Sequence, residues 1–204
     1  AAAKGVDGAT GCIHTGTTPE LNLADFFRTN NISDEPVPVE TNAEAQQQYL
    51  AGACDVYTTD ASGLAATRAS FESPADHVLV PEIISKEPLG PLVRHGDNDW
   101  GDVVRWTLNA LITAEELGVT SANVKDMAAA PTDNPEVNRL LGTEGELGAM
   151  LGLEADWAAN AIAAGGNFGE LFEKNIGENT PIGLARGLNA LWTEGGLIYS
   201  PPFR

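Results

Sequence analysis

The sequence has few basic residues, and they are not clustered. Its 204 residues include 11 Lys and Arg against 29 Asp and Glu, which gives a formal net charge of −18. The acidic excess is even, with 15 acidic and 5 basic residues up to position 100, and 14 against 6 after it. Nucleic acids and anionic lipid surfaces are bound through clusters of Lys and Arg. The composition therefore argues against a nucleic-acid partner.

Long apolar runs are also missing from the sequence. None approaches the roughly twenty residues that a membrane-spanning helix requires. The sequence does not open with a charged and then apolar leader. We therefore expect either a cytoplasmic protein or a mature or trimmed form whose signal has been removed.

Cysteine is scarce, with Cys12 and Cys54 as the two examples. Both fall in strand-like segments that could neighbour each other in one sheet, and an oxidising compartment would then permit a disulfide bond. The alternative is a pair of buried free thiols. The spacing leaves both possibilities open.

The first part of the chain alternates strand-like and helical patterns. Strands are predicted at 11–15, 37–40 and 54–59, and helices at 19–29, at 42–51 and from residue 60 or 62. Thr18 before Pro19 is typical of a helix start, and residues 41–44 have the spacing of a capping box. This alternation predicts an α/β fold with βαβ units on a parallel sheet.

The pattern changes near residue 85. One extended run at 89–95 is followed by predicted helices that begin near residues 97, 121, 156, 167 and 180, the last ending at 192. The helix after Asp97 has the clearest 3.6-residue periodicity. We therefore expect two parts, an α/β domain at 1–84 and a part at 85–204 with one strand and several helices.

Two segments carry the candidate site. The turn at Gly16, Thr17 and Thr18 runs from a predicted strand into a helix that starts with Pro19, which leaves backbone N–H groups free for an anion. Asp60 ends the third predicted strand. Because ligands bind beyond the carboxyl ends of parallel strands, we expect these groups to share a site for a ligand with opposite charges, such as an amino acid. Ordinary helix capping by both segments is the alternative.

Other chemistries find little support in the sequence. Three histidines lack the spacing of zinc ligands: His14, His77 and His95. One cluster of acidic residues has a spacing similar to that of a calcium-binding loop, but capping of the following helix accounts for it: Asp97, Asp99 and Asp102. The sequence contains no nucleophile elbow, and although Glu20 and Asp60 could form a carboxylate pair for acid–base catalysis, nothing in the sequence indicates a raised pKa in either. We expect no metal, no cofactor and no enzymatic activity.

The chain resembles the periplasmic general L-amino acid binding proteins of ABC importers, within the family-3 solute-binding proteins. The likeness lies in segments that follow one another over nearly the whole chain: 7–10, 16–25, 54–60, 81–91, 104–108 and 185–192. Ordered segments of this length are more specific than a single glycine motif.

The resemblance implies a type II periplasmic-binding-protein-like fold. Residues 1–84 would form the complete βα lobe 2 with a parallel-rich sheet, and 85–204 the helical C-terminal part of lobe 1. Gly16, Thr17 and Thr18 would receive the α-carboxylate of an L-amino acid, and Asp60 would hold its α-ammonium. The implied partner is an ABC permease, and the implied location is the periplasm, as a mature form without its signal.

The family pattern also includes an N-terminal part of lobe 1 that this sequence lacks. We therefore expect either self-association or a missing N-terminal segment. Two alternatives to ligand binding are a truncated, non-binding scaffold or oligomeric lobe and, with less support, an enzyme related to binding proteins.

Overall fold

Strands and helices alternate in the first part of the chain. The computed structural model describes residues 3–204, and for Asp34 the backbone alone. It divides the chain into two compact units, Ala1–Leu89 and Gly90–Arg204.

The first unit is built on a three-stranded parallel sheet in the order β2-β1-β3. Its elements are β1 (Ala9–His14), α1 (Thr18–Asn30), β2 (Asp34–Val39), α2 (Asn42–Leu50), β3 (Val56–Tyr57) and α3 (Ala61–Ser70). Cys12 of the central strand lies opposite Val37 on one side and Tyr57 on the other. Pro36 and Pro38 lie on the edge strand β2, where a missing N–H group costs no ladder hydrogen bond.

Helices cover both faces of this sheet. Successive side chains of β1 point to opposite faces. On one face, Ile13 packs with Leu23 and Phe27 of α1. On the other, Cys12 packs with Val39, Ala45 of α2 and Cys54. The α/β fold with a parallel sheet is therefore confirmed.

A disulfide bond joins Cys12 to Cys54. It connects the central strand to the segment just before β3, with a Cα–Cα distance of 5.6 Å and a sequence separation of 42. Both residues are buried. Of the two possibilities that the sequence left open, the structure contains the disulfide.

The second unit is helical. Its helices are α4 (Asn98–Glu116), α5 (Val124–Ala129), α6 (Pro135–Leu141), α7 (Leu147–Met150), α8 (Trp157–Gly165) and α9 (Phe168–Asn175). Its fully buried large side chains are Val119, Val124, Leu140, Leu141 and Ile162. The C-terminal tail joins this core, because Phe203 is buried and stands edge-on to Trp106 with ring centroids 5.4 Å apart.

Two predicted elements of the C-terminal part are wrong. Residues 89–95 form no strand, and Leu92 there is 97% exposed. The helix predicted at 180–192 is replaced by the short 3₁₀ turns Gly187–Asn189 and Trp192–Glu194. The physical reason is the left-handed backbone of Gly183 and Gly187, with φ of 68° and 49°, which an α-helix does not accommodate.

Across residues 3–204, no helix combines the length and the apolar character needed to cross a membrane.

Candidate functional site

A cavity of about 360 Å³ opens in the first unit beyond the carboxyl ends of its strands. Its lining residues are His14, Gly16, Thr17, Thr18, Pro19, Asn42, Thr58, Thr59, Asp60, Glu87 and Leu89. The loops that follow β1, β2 and β3 all contribute, because parallel neighbouring strands end at the same edge of a sheet. The four residues singled out from the sequence, Gly16, Thr17, Thr18 and Asp60, thus lie around one cavity.

The turn after β1 presents the start of α1 to this cavity. Gly16 has a φ of 73°, a conformation that favours glycine, and open space surrounds the position where a Cβ would stand. Thr17, rather than the expected Thr18, is the N-cap residue, and its side chain does not cap the helix. The Thr17 hydroxyl instead donates to the carbonyl of His14 at 2.6 Å. In residues 3–204, no protein acceptor pairs with the Thr17 or Thr18 N–H.

One expected free donor already has an acceptor. The Gly16 N–H donates to a carboxylate oxygen of Glu20 at 2.7 Å. The start of α2 has the same arrangement, since the Glu40 N–H donates to Glu44 at 3.0 Å. Glu20 therefore serves as a helix-start residue like Glu44 and does not line the cavity with Asp60.

Asp60 is both a cavity residue and the N-cap of α3. Its Oδ2 accepts from the Ser62 hydroxyl at 2.6 Å and from the Gly63 N–H at 2.8 Å. Its Oδ1 accepts a longer bond of 3.4 Å from the Thr59 hydroxyl. Gly63 leaves room for this carboxylate, because a Cβ at Gly63 would lie 3.0 Å from Oδ1. One oxygen is thus fixed by the cap, while the other has capacity for a further donor.

The hydrogen bonds around Asp60 predict its titration. Burial by itself raises the pKa of Asp60, but the bonds from Ser62, the Gly63 N–H and Thr59 outweigh it, so that the pKa falls below the ordinary 3.8. We expect a carboxyl carbon NMR titration to give a midpoint below 3.8. The stability from this ionised cap should be present above 3.8 and be lost as the pH falls through the lowered value. Ser62→Ala should move the midpoint upward, and a midpoint above 3.8 in the unaltered chain would contradict this account.

Sequence reasoning missed several residues of the cavity. Asn42 follows β2, so the strand-end rule that found Asp60 would also have found it. Glu87 and Leu89 come from a segment without regular secondary structure, and the sequence pattern there predicted an extended run at 89–95 but assigned neither residue to the site. One Glu87 oxygen, Oε1, is buried and has no hydrogen-bond partner within residues 3–204.

The acidic group at the start of α4 forms local contacts. Asp97 accepts from the Trp100 N–H at 3.2 Å, as expected for a helix cap, and Asp102 pairs with Arg105 at 3.2 Å. Within the part of the chain that the structure describes, no group of three or more His, Cys, Asp or Glu residues could hold a metal ion.

Comparison with known proteins gives close relatives. The chain is 62% identical over 202 residues to the glutamate/glutamine/aspartate/asparagine-binding protein BztA of Rhodobacter capsulatus, covering 99% of this chain and 60% of BztA. It is 54% identical over 201 residues to the general L-amino acid-binding periplasmic protein AapJ of Rhizobium johnstonii, covering 98% of this chain and 58% of AapJ. The chain is a homologue of the periplasmic amino-acid-binding proteins of ABC transporters.

A solved structure agrees with this homology. A periplasmic binding protein of an ABC transporter from Brucella ovis, with glutathione bound, matches with a TM-score of 0.92 and 51% identity. The match covers 100% of this chain and 63% of the Brucella protein, and confirms the periplasmic-binding-protein fold. No family model matches the chain. The chain spans about 60% of the length of these binding proteins.

Proposed function

We propose that this chain is the ligand-contacting part of the solute-binding component of an amino acid ABC importer. The observation that carries the proposal is the cavity shared by the Gly16–Thr18 turn and Asp60. Donors of α1 lie in one part of its wall and an ionised carboxylate in another. A zwitterion satisfies both groups at once, since charge-assisted hydrogen bonds form at each of its ends.

In this proposal the α-carboxylate of the ligand binds at the start of α1. The Thr17 and Thr18 N–H groups and the positive end of the helix dipole favour an anion there. The ligand carboxylate competes with Glu20 for the Gly16 N–H. The α-ammonium binds Asp60 through Oδ1, the oxygen that the helix cap leaves least occupied.

The ligands named for the relatives support recognition of this common head. The BztA name covers four amino acids, and the Brucella structure contains glutathione. The γ-glutamyl residue of glutathione keeps a free α-carboxylate and a free α-ammonium. A site that binds the α-carboxylate and the α-ammonium would accept all four amino acids and glutathione. We propose that this chain binds the same class of compounds.

The proposal includes the domain assignment, the location and the partners implied by the resemblance. Residues 1–84 would be lobe 2 and 85–204 the C-terminal part of lobe 1, in a periplasmic protein that delivers its ligand to an ABC permease. The Cys12–Cys54 disulfide suits an oxidising compartment.

Exposed apolar side chains such as Ile83 and Leu89 support association, either with a second copy of this chain or with a further segment of a longer polypeptide. A folded monomer without partners in light scattering would contradict that association.

We assign binding and no catalytic step to the site. The names of the relatives describe binding proteins, and the hydrogen bonds of Asp60 suit a fixed, ionised anchor better than a group that exchanges protons. Conversion of L-glutamate into another compound by the purified protein would contradict this assignment.

Replacing Asp60 with asparagine should weaken L-glutamate binding at least about tenfold, because a charge-assisted bond to the ammonium is lost. Asparagine is a good N-cap residue, so that α3 should remain capped. Isothermal titration of both proteins with L-glutamate, L-glutamine and glutathione measures the effect.

Asp55→Asn is the matched control for this experiment. Asp55 lies outside the cavity, and its Oδ2 accepts from the backbone N–H and the hydroxyl of Thr10, at 2.9 and 2.7 Å. The control should bind as the unaltered chain does. Equal affinity in Asp60→Asn and the control would instead favour the scaffold alternative.

A further inference from the structure

Glu87 brings a second carboxylate to the cavity that contains Asp60. Its Oε1 is buried, and no donor in residues 3–204 reaches it. Among the described residues that line the cavity, none is a Lys or an Arg. The cavity wall therefore offers two carboxylates and no fixed positive charge from those side chains.

An unpaired buried carboxylate oxygen has an energetic cost. Oε1 loses its hydration and gains no hydrogen bond in exchange, although Glu87 as a whole remains partly exposed. A second carboxylate in the same cavity adds repulsion between like charges. A cation that binds between the two carboxylates offsets the repulsion between them, and the partly exposed Glu87 side chain can turn an oxygen toward it.

The α-ammonium of an amino acid has the required chemistry. It carries three N–H donors and one positive charge. Asp60 has little room for all three, because its Oδ2 already accepts from Ser62 and Gly63. At least one N–H is left to find another acceptor.

We propose that Glu87 is the second anchor of the ligand ammonium and selects for ligands that have a free primary ammonium group. This rests on the proposed function and extends it. The site then takes amino acids and γ-glutamyl compounds with an unmodified α-ammonium, and it discriminates against 2-hydroxy acids and N-acylated amino acids. Glu87 acts on specificity, while the Gly16–Thr18 turn contacts the end that all these compounds share.

The test compares Glu87→Gln with the unaltered chain by isothermal titration, using L-glutamate and (S)-2-hydroxyglutarate. These probes differ mainly in an ammonium or a hydroxyl at the α-carbon. We expect Glu87→Gln to weaken L-glutamate binding by about 10- to 100-fold. Binding of 2-hydroxyglutarate should stay the same or improve, because a hydroxyl gains nothing from the negative charge.

Thermal unfolding of the same proteins gives a second readout. Glutamine has nearly the same shape as glutamate without its charge, so the ligand-free Tm of Glu87→Gln should be equal or higher. The rise in Tm caused by L-glutamate should become smaller. Glu72→Gln is the matched control. Glu72 is exposed and lies outside the cavity, and its substitution removes the same charge from the same unit as Glu87→Gln does. It should change neither quantity.

The outcomes separate this inference from the proposed function. If Glu87→Gln keeps the affinity for L-glutamate while Asp60→Asn loses it, Glu87 is not an ammonium anchor and the proposed function stands. If Glu87→Gln binds L-glutamate and 2-hydroxyglutarate equally more weakly, or has a lower ligand-free Tm than the unaltered chain, Glu87 has a structural role and the inference is wrong. If the unaltered chain binds none of the amino acids or glutathione, both proposals are wrong.

Discussion

Removing the disulfide with Cys12→Ala and Cys54→Ala together should lower the free energy of unfolding of the first unit by about 4 kcal/mol. The bond closes a loop with a sequence separation of 42, so its loss returns considerable conformational entropy to the unfolded chain. Both cysteines are also buried, at 0% and 3% exposure, which adds a smaller loss of packing. The effect is measured by urea unfolding in which hydrogen exchange of peptides from β1 and β3 reports the unfolding of the first unit.

Reduced wild-type protein is the control for this prediction. Dithiothreitol opens the bond without removing any side-chain atom from the core, so the reduced protein separates the cross-link from the packing. The reduced form should account for most of the loss. A difference below about 1 kcal/mol between oxidised and reduced protein would contradict the entropic account.

Arg186→Ala should destabilise the second unit by about 3 kcal/mol. The Arg186 guanidinium pairs with both Glu115 oxygens, at 2.8 and 3.2 Å, and the two side chains are only 17% and 14% exposed. It also donates to the Asn189 carbonyl and lies 5.1 Å from the ring centre of Phe172. Truncation leaves the Glu115 carboxylate largely buried without its partner, which costs more than the lost contacts alone.

Tryptophan fluorescence is a suitable probe for this unit, because all four tryptophans lie between residues 100 and 192. Arg105→Ala on α4 is the matched control. Arg105 pairs with Asp102, but the two side chains are 70% and 50% exposed, so we expect a loss below about 1 kcal/mol. Similar losses in the two variants would show that burial does not set the strength of the Glu115–Arg186 pair.

The first unit was predictable because its local signals agree with one another. Pro19 marks the start of α1, and the Thr41 hydroxyl accepts from the Glu44 N–H at 3.1 Å, as the capping-box spacing predicts. Where a turn residue, a helix start and an apolar pattern point to the same element, local preference and tertiary packing favour the same structure.

The second part was less predictable because its signals conflict. The helical pattern at 180–192 contains Gly183 and Gly187, whose left-handed backbone ends any helix. Two isolated parallel bridges, Gly177 to Leu184 and Leu191 to Ile198, shape this tail instead. The two residues of each bridge are close in the chain, but neither helical nor strand periodicity marks this kind of loop contact.

The candidate site divides in the same way. Strand-end logic leads to Gly16–Thr18 and Asp60, since each directly follows a predicted strand. Two features depend on the tertiary structure: the hydrogen bond from the Gly16 N–H to Glu20, and the presence of Glu87 in the cavity. Both depend on side-chain direction, which turn motifs leave undetermined.

The order of strands and helices in the first unit and the strand-end position of its candidate site residues follow from the sequence alone, because turns, caps and apolar periodicity act over a few residues. Folding in three dimensions decided that Cys12 and Cys54 are bonded, that Arg186 neutralises Glu115, and that Glu87 lies in the cavity with Asp60. The two cysteines lie 42 residues apart in the chain, Glu115 and Arg186 lie 71 apart, and Asp60 and Glu87 lie 27 apart (87 minus 60). Contacts over such separations form only when the packed core brings distant segments together, and short-range preferences do not determine them.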